Sequence, residues 1–175
     1  MSASAEDLLV LAWGNPGRLD DGLGPAFAEA VADLELPGVA VESVYQLSVE
    51  HAAQVASVAR VLFVDADRSP GTDPFRLDRL HPSDGPPAFT THAMAPGAVL
   101  AVARDLFDGR PEAWLLGIRG EEFDEFGERL SDRARLNLVL ALVHVVACLR
   151  RGDLFGSCAP TAVAAATTAP SEVKS

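Results

Sequence analysis

Apolar positions in this chain alternate between short unbroken runs and stretches in which they return every three or four residues. The runs at 8–12 (LLVLA), 60–64 (RVLFV) and 113–118 (AWLLGI) have the length and branching of buried strands, and 39–44 (VAVESV) reads as a further strand. Residues 75–80, FRLDRL, alternate apolar with charged and predict a short edge strand. Between these runs the period changes to that of helices. Residues 25–34 place Phe27, Ala30, Val31 and Leu34 on one face with Glu29 and Asp33 away from it, and Pro37-Gly38 ends the element. Ser48 is placed to cap a short helix through Val58, and 95–107 turn Val99, Val102, Ala103 and Leu106 inward. A last helix from Ser131 to about Arg150 carries Leu136, Val139, Leu140, Val143, Val146 and Ala147 as its expected buried stripe. Residues 81–91 and 119–131, rich in polar residues and Gly or Pro, read as exposed loops. Strands alternating with helices predict a three-layer α/β/α sandwich with a mostly parallel sheet of about five strands.

Composition narrows the class of partner. With 175 residues, 49% of them hydrophobic, the chain has the material for one full-sized core, expected over 1–155. The tail at 156–175 is Ala, Thr, Pro and Ser without periodicity and reads as disordered. A formal net charge of -11 without a Lys/Arg block argues against nucleic acid or an anionic membrane surface as partner. Cys148 and Cys158 have no metal-ligand spacing and make no disulfide framework, which suits a reduced cytoplasm. Acids stand at the N-terminus where a signal peptide has bases, and the apolar stretch 138–149, interrupted by His144, is too short to span a bilayer. A small acidic domain with one cleft is expected to work as a monomer.

The candidate chemistry begins in WGNPGRLDDGLG, residues 13–24, between the first strand and the first helix. In open α/β sheets ligands sit at the carboxyl ends of strands, where this loop sets Asn15, Asp20 and Asp21. Gly14 and Gly17 permit backbone conformations closed to other residues. Asp-Asp-Gly is also ordinary turn chemistry, and an acid before a helix often only caps it. One cap needs one acid, however, and adjacent carboxylates repel. Asp65, at the end of the 60–64 run, is a second strand-end acid that either holds turn amides or faces a ligand. His92 stands before the next helix, as a capping or surface residue or as a third ligand. Asp21, Asp65 and His92 together make an O/O/N set suited to nickel, zinc or a similar divalent ion with open positions. His51, His81 and His144 read as ordinary helix, loop and core residues, and Trp13 and Trp114 as packing residues. No G-x-S-x-G elbow, P-loop Lys or Cys before position 148 is present, and Ala12 breaks the dinucleotide-binding glycine pattern.

These motifs resemble those of the [NiFe]-hydrogenase maturation endopeptidases: LVLAWGNPGRLDDGLG, RVLFVDAD, TTHAMAPGAVL and LLGIRGEEFDEFGERLS stand in that family's order over about 8–150. The first glycine usual in the family's loop is Ala12 here, and the acid at 21, often Glu there, is Asp. The resemblance implies a cytoplasmic protease that removes a C-terminal peptide from the hydrogenase large-subunit precursor once nickel is inserted. It also implies that Asp21, Asp65 and His92 bind the metal. The nickel is expected to come with the substrate, although other divalent metals suit the same site. Asp21 and Asp65 are the catalytic candidates of an aspartyl-type site. Either the metal activates water or polarises the scissile carbonyl, or a carboxylate such as Asp20 or Asp21 serves as general base. Asn15 is a candidate to orient the peptide or an oxyanion. A non-catalytic nickel-handling chaperone and a nucleotide-binding α/β enzyme remain as alternatives.

Overall fold

A computed structural model describes residues 7–84 and 94–151. Four parallel strands, β1 (Leu8–Trp13), β2 (Val39–Val44), β3 (Arg60–Asp67) and β5 (Glu112–Arg119), and one antiparallel edge strand, β4 (Phe75–Leu80), form a sheet in the order β2-β1-β3-β5-β4. α1 (Leu23–Ala32) and α4 (Asp132–Arg151) cover one face, and α2 (His51–Ala56) and α3 (Pro96–Phe107) the other. This is the three-layer α/β/α sandwich expected from the pattern.

The two cores are the two side-chain parities of the central strands. Leu8, Val10 and Ala12 of β1 join Leu62 and Val64 of β3 under α1 and α4, while Leu9 and Leu11 join Val61 and Phe63 under α2 and α3. Burial on both sides explains why β1 and β3 read as unbroken apolar runs. Trp13 packs edge-on against Phe63, with ring centroids 6.2 Å apart, and Trp114 lies buried, both as packing residues.

Several expected details differ. β3 runs three residues past Val64, pairing Asp65 with Gly117 and Asp67 with Arg119, so Asp65 lies within the strand rather than beyond it. α1 ends before Leu34, and Leu106 projects from the last turn of α3; both are exposed. α2 is shorter than 48–58, and the Ser48 N–H bonds to Nδ1 of His51 at 2.9 Å in place of a hydroxyl cap.

The largest correction concerns α4. Leu136, Val139 and Val143, expected inside, are 52%, 54% and 65% exposed, whereas Ala134, Asn137, Ala141, Val145 and Cys148 are buried. Residues 136–149 are apolar almost all round, so periodicity alone cannot choose a face. Two polar contacts set the rotation: Asn137 Nδ2 donates to the carbonyl of Arg119 at 2.9 Å, and Ser131, at the N-cap, is held by Asp20. The sequence-predicted disordered tail at 156–175, with Cys158, lies outside the described residues.

Candidate active site at the carboxyl ends of β1 and β3

From β1 the chain crosses to β2 on one side, and from β2 it returns past β1 to β3 on the other. That reversal opens a crevice at the carboxyl ends of β1 and β3, the place where doubly wound sheets bind ligands. Asp21 reaches it from the loop after β1, and Asp65 from the end of β3.

The loop is held tightly. Gly14 has φ +143°, and a Cβ there would lie 2.1 Å from the carbonyl oxygen of Asp21. Gly24, in the first turn of α1, has no room either: a Cβ would stand 2.2 Å from the carbonyl oxygen of Trp13 and 3.1 Å from that of Val64. These glycines let helix and loop close onto both strand ends. Gly17, by contrast, does not need positive φ. Its N–H donates to Asn15 Oδ1 at 2.9 Å in a local turn.

The adjacent acids divide the work. Asp20 is fully buried. Its carboxylate accepts from the N–H groups of Glu121 at 2.8 Å, Glu122 at 2.9 Å and Ser131 at 2.7 Å, and from the Ser131 hydroxyl at 2.8 Å. The Ser131 Oγ in turn accepts from Ala134 N–H, completing the N-cap of α4. Burial pushes the Asp20 pKa up, but these hydrogen bonds outweigh it and hold the carboxyl below its ordinary range. Fully buried and holding four donors, three at Oδ2 and one at Oδ1, Asp20 caps the 121–131 segment and not the helix beside it. Backbone bonds continue the seam: Leu19, at φ 51°, donates to Gly127, Gly127 to Gly17, and Asp20 to Glu122.

Asp21 faces the crevice, partly exposed. Oδ2 accepts from the N–H of Asn15 at 2.9 Å, and Oδ1 meets Nη2 of Arg68 at 3.3 Å. Asp65 Oδ1 accepts the N–H of Ala66 at 2.8 Å. Burial, followed by the repulsion of Asp21 and Asp67, pushes the Asp65 carboxyl up to about 6 against the Ala66 hydrogen bond and the attraction of Arg68. Asp21 is thus near enough for its charge to act on Asp65. His92 lies outside the described residues, and among those described no three His, Cys, Asp or Glu side chains are grouped to hold an ion.

Three contributors lie outside the candidate set that the sequence suggested. Arg68 stacks over Phe123, with its guanidinium carbon 4.2 Å from the ring centroid. Ser131, expected only to start a helix, anchors Asp20. Asp67, two residues beyond Asp65, accepts from the Ser69 N–H and hydroxyl and from Arg76 Nε at 3.1 Å, with Arg119 beyond, and so ties β3 to its neighbours. The only sequence trace of Arg68 was its place three residues after Asp65. Beside the crevice, an open groove of about 550 Å³ runs between the loop, α1, β2 and residues 128–130, with Pro16, Pro25, Val41, Glu29 and Glu128 on its walls. No described helix is long and apolar enough to cross a membrane.

Fold and crevice together define an α/β architecture shared with solved hydrogenase maturation proteases. The [NiFe] hydrogenase maturation protease HycI from Thermococcus kodakarensis KOD1 aligns with a TM-score of 0.65 at 19% identity, covering 85% of this chain and 95% of its own. The hydrogenase maturating endopeptidase HybD from E. coli aligns with a TM-score of 0.62 at 24% identity over 83% of this chain and 93% of its own. An endopeptidase from Escherichia coli, solved in solution, gives 0.61 at 25% identity with the same coverage, 83% and 93%. By sequence, no family profile and no curated protein matches the chain.

Proposed function

We propose that this protein is an endopeptidase that removes a C-terminal peptide from the precursor of a [NiFe]-hydrogenase large subunit after nickel insertion, acting as a monomer in the cytoplasm. The observation that carries this reading is the pairing of Asp21 and Asp65 at the switch point of a fold shared with hydrogenase maturation proteases. Two neighbouring carboxylates, one of them largely withdrawn from water, form a donor set that a divalent cation stabilises and that disfavours itself when empty. In this reading the nickel is part of the substrate. Asp21, Asp65 and His92 complete its coordination, and recognition of the metal makes cleavage wait for the end of maturation. The same oxygens accept other divalent ions.

The chain's own residues supply positioning. The Asn15 N–H fixes one oxygen of Asp21, and its side-chain oxygen is spent on the turn, so Nδ2 is the end that serves the substrate peptide or an oxyanion. Asp20 holds the floor of the site. With Asp20 buried and committed to four hydrogen bonds, proton transfer falls to Asp21, Asp65 or water that the metal would activate.

The test is mass spectrometry of a nickel-loaded precursor incubated with the protein, beside a nickel-free control. Loss of a C-terminal peptide from the loaded sample alone is expected. Asp65→Asn should abolish trimming while folding normally, its stability at pH 7 equal to or about 1 kcal/mol above wild type, because a carboxylate that resists ionisation is replaced by a neutral isostere. An Asp65→Asn protein that trims at full rate refutes the site. A precursor that is bound but never shortened selects the chaperone reading.

A further inference from the structure

Asp21 and Asp65 both stand at the carboxyl ends of the central strands, and a cation of the chain itself already stands against Asp21. Arg68 follows β3 by one residue and turns back so that Nη2 lies 3.3 Å from Asp21 Oδ1, the oxygen that the Asn15 N–H leaves open. Its other contact is the Phe123 ring at 4.2 Å, and Phe123, 8% exposed, belongs to the segment that Asp20 pins down. The Arg68 side chain is itself 55% exposed, so it can leave Asp21 for solvent without breaking the core. One end of the interaction is a fixed platform, and the other is free to move.

Resting on the assignment of Asp21 and Asp65 as metal ligands, we infer that Arg68 is a built-in competitor cation, a positioning residue that occupies the open oxygen of Asp21 until a metal displaces it. An ion at that oxygen and the guanidinium beside it are both positive and repel, so each weakens the other's hold on the carboxylate. A hydrated free ion must displace Arg68 with two or three donors alone. A metal centre delivered in a folded partner brings docking contacts with it and displaces Arg68 readily. The arginine thereby selects a protein-borne metal over free ions. The contacts it gives up are an exposed ion pair and one cation–π stack, both individually weak, so its removal should tighten free-ion binding by roughly three- to tenfold and no more.

The experiment titrates the purified full chain with nickel chloride, read by calorimetry or by competition with a chromogenic chelator. The proteins are wild type, Arg68→Gln, Arg68→Lys, Asp65→Asn and Arg110→Gln, the last removing a remote, 72% exposed arginine to match the change in net charge. Arg68→Gln is expected to bind nickel about three- to tenfold tighter, with Arg68→Lys and Arg110→Gln close to wild type. Asp65→Asn is expected to lose the site. Arg68→Gln binding no tighter than wild type, or Arg110→Gln tightening by the same factor, overturns the inference and leaves the ligand assignment standing if Asp65→Asn still loses binding. Asp65→Asn binding as wild type does overturns the ligand assignment, and the inference with it.

Discussion

Asp20→Ala isolates what the buried half of the Asp20-Asp21 pair does. The substitution removes one carboxylate that accepts four hydrogen bonds at 2.7–2.9 Å, three from backbone N–H groups and one from Ser131 Oγ. A hydrogen bond to a charged acceptor contributes about 1.5–3 kcal/mol, but four on one group are not additive. Glu121 and Glu122 are exposed, so water can reach the donors on that side, whereas Ser131 N–H, in a buried site, is left without its acceptor. The expected loss is about 3–5 kcal/mol, a large part of the 5–15 kcal/mol typical of a whole domain. Urea denaturation at unchanged m-value reads it directly. Asp21→Ala, which loses one backbone hydrogen bond and one exposed ion pair, should cost no more than about 1.5 kcal/mol. The pH dependence follows from the sign of the shift. Asp20 ionises more readily folded than unfolded, so its stabilisation is complete above its ordinary value of 3.8 and fades as pH falls below that toward the folded value. The Asp20→Ala protein should lack that acid limb. A loss under about 1 kcal/mol for Asp20→Ala, or an equal loss for Asp21→Ala, would refute the division of labour.

Other substitutions probe neighbouring features. Gly24→Ala forces a methyl to within 2.2 Å of the Trp13 carbonyl oxygen and should cost about 3 kcal/mol or more by urea denaturation, lifting α1 from the strand ends. On α4, Val143→Lys should change stability by less than about 0.5 kcal/mol while Val145→Ala costs about 1–3 kcal/mol; equal costs would mean the helix is rotated from the position described. His144 has a buried Nε2 without a hydrogen-bond partner among the described residues, and burial, with the charge of Arg151 behind it, pushes its pKa below the ordinary 6.5. It therefore costs the fold stability as pH drops through 6.5 toward its folded value. His144→Leu should flatten that limb in thermal melts between pH 7 and 5, and an unchanged pH profile would count against it.

The sequence by itself determined the layers of this protein and the address of its site. β1 and β3 are apolar on both faces, a pattern that only a doubly covered sheet satisfies, and the alternation of strands with helices then sets parallel topology. Acids near the carboxyl ends of such strands fall toward the ligand-binding edge, which is why Asp21, in the loop after β1, and Asp65, in the last residues of β3, stood out in the sequence as candidates. Tertiary structure alone decided which of two adjacent aspartates is structural. The donors that claim Asp20 come from residues 101 to 111 positions away, a separation that no local pattern encodes. The same holds for Arg68, whose platform, Phe123, belongs to another segment, and for Asn137, whose hydrogen bond to Arg119 helps turn one face of a nearly uniform helix inward. Hydrophobic periodicity specifies that a segment is buried and on how many sides. Where a helix is apolar all round, or two acids stand side by side, the choice passes to long-range hydrogen bonds that form only once the chain has closed on itself.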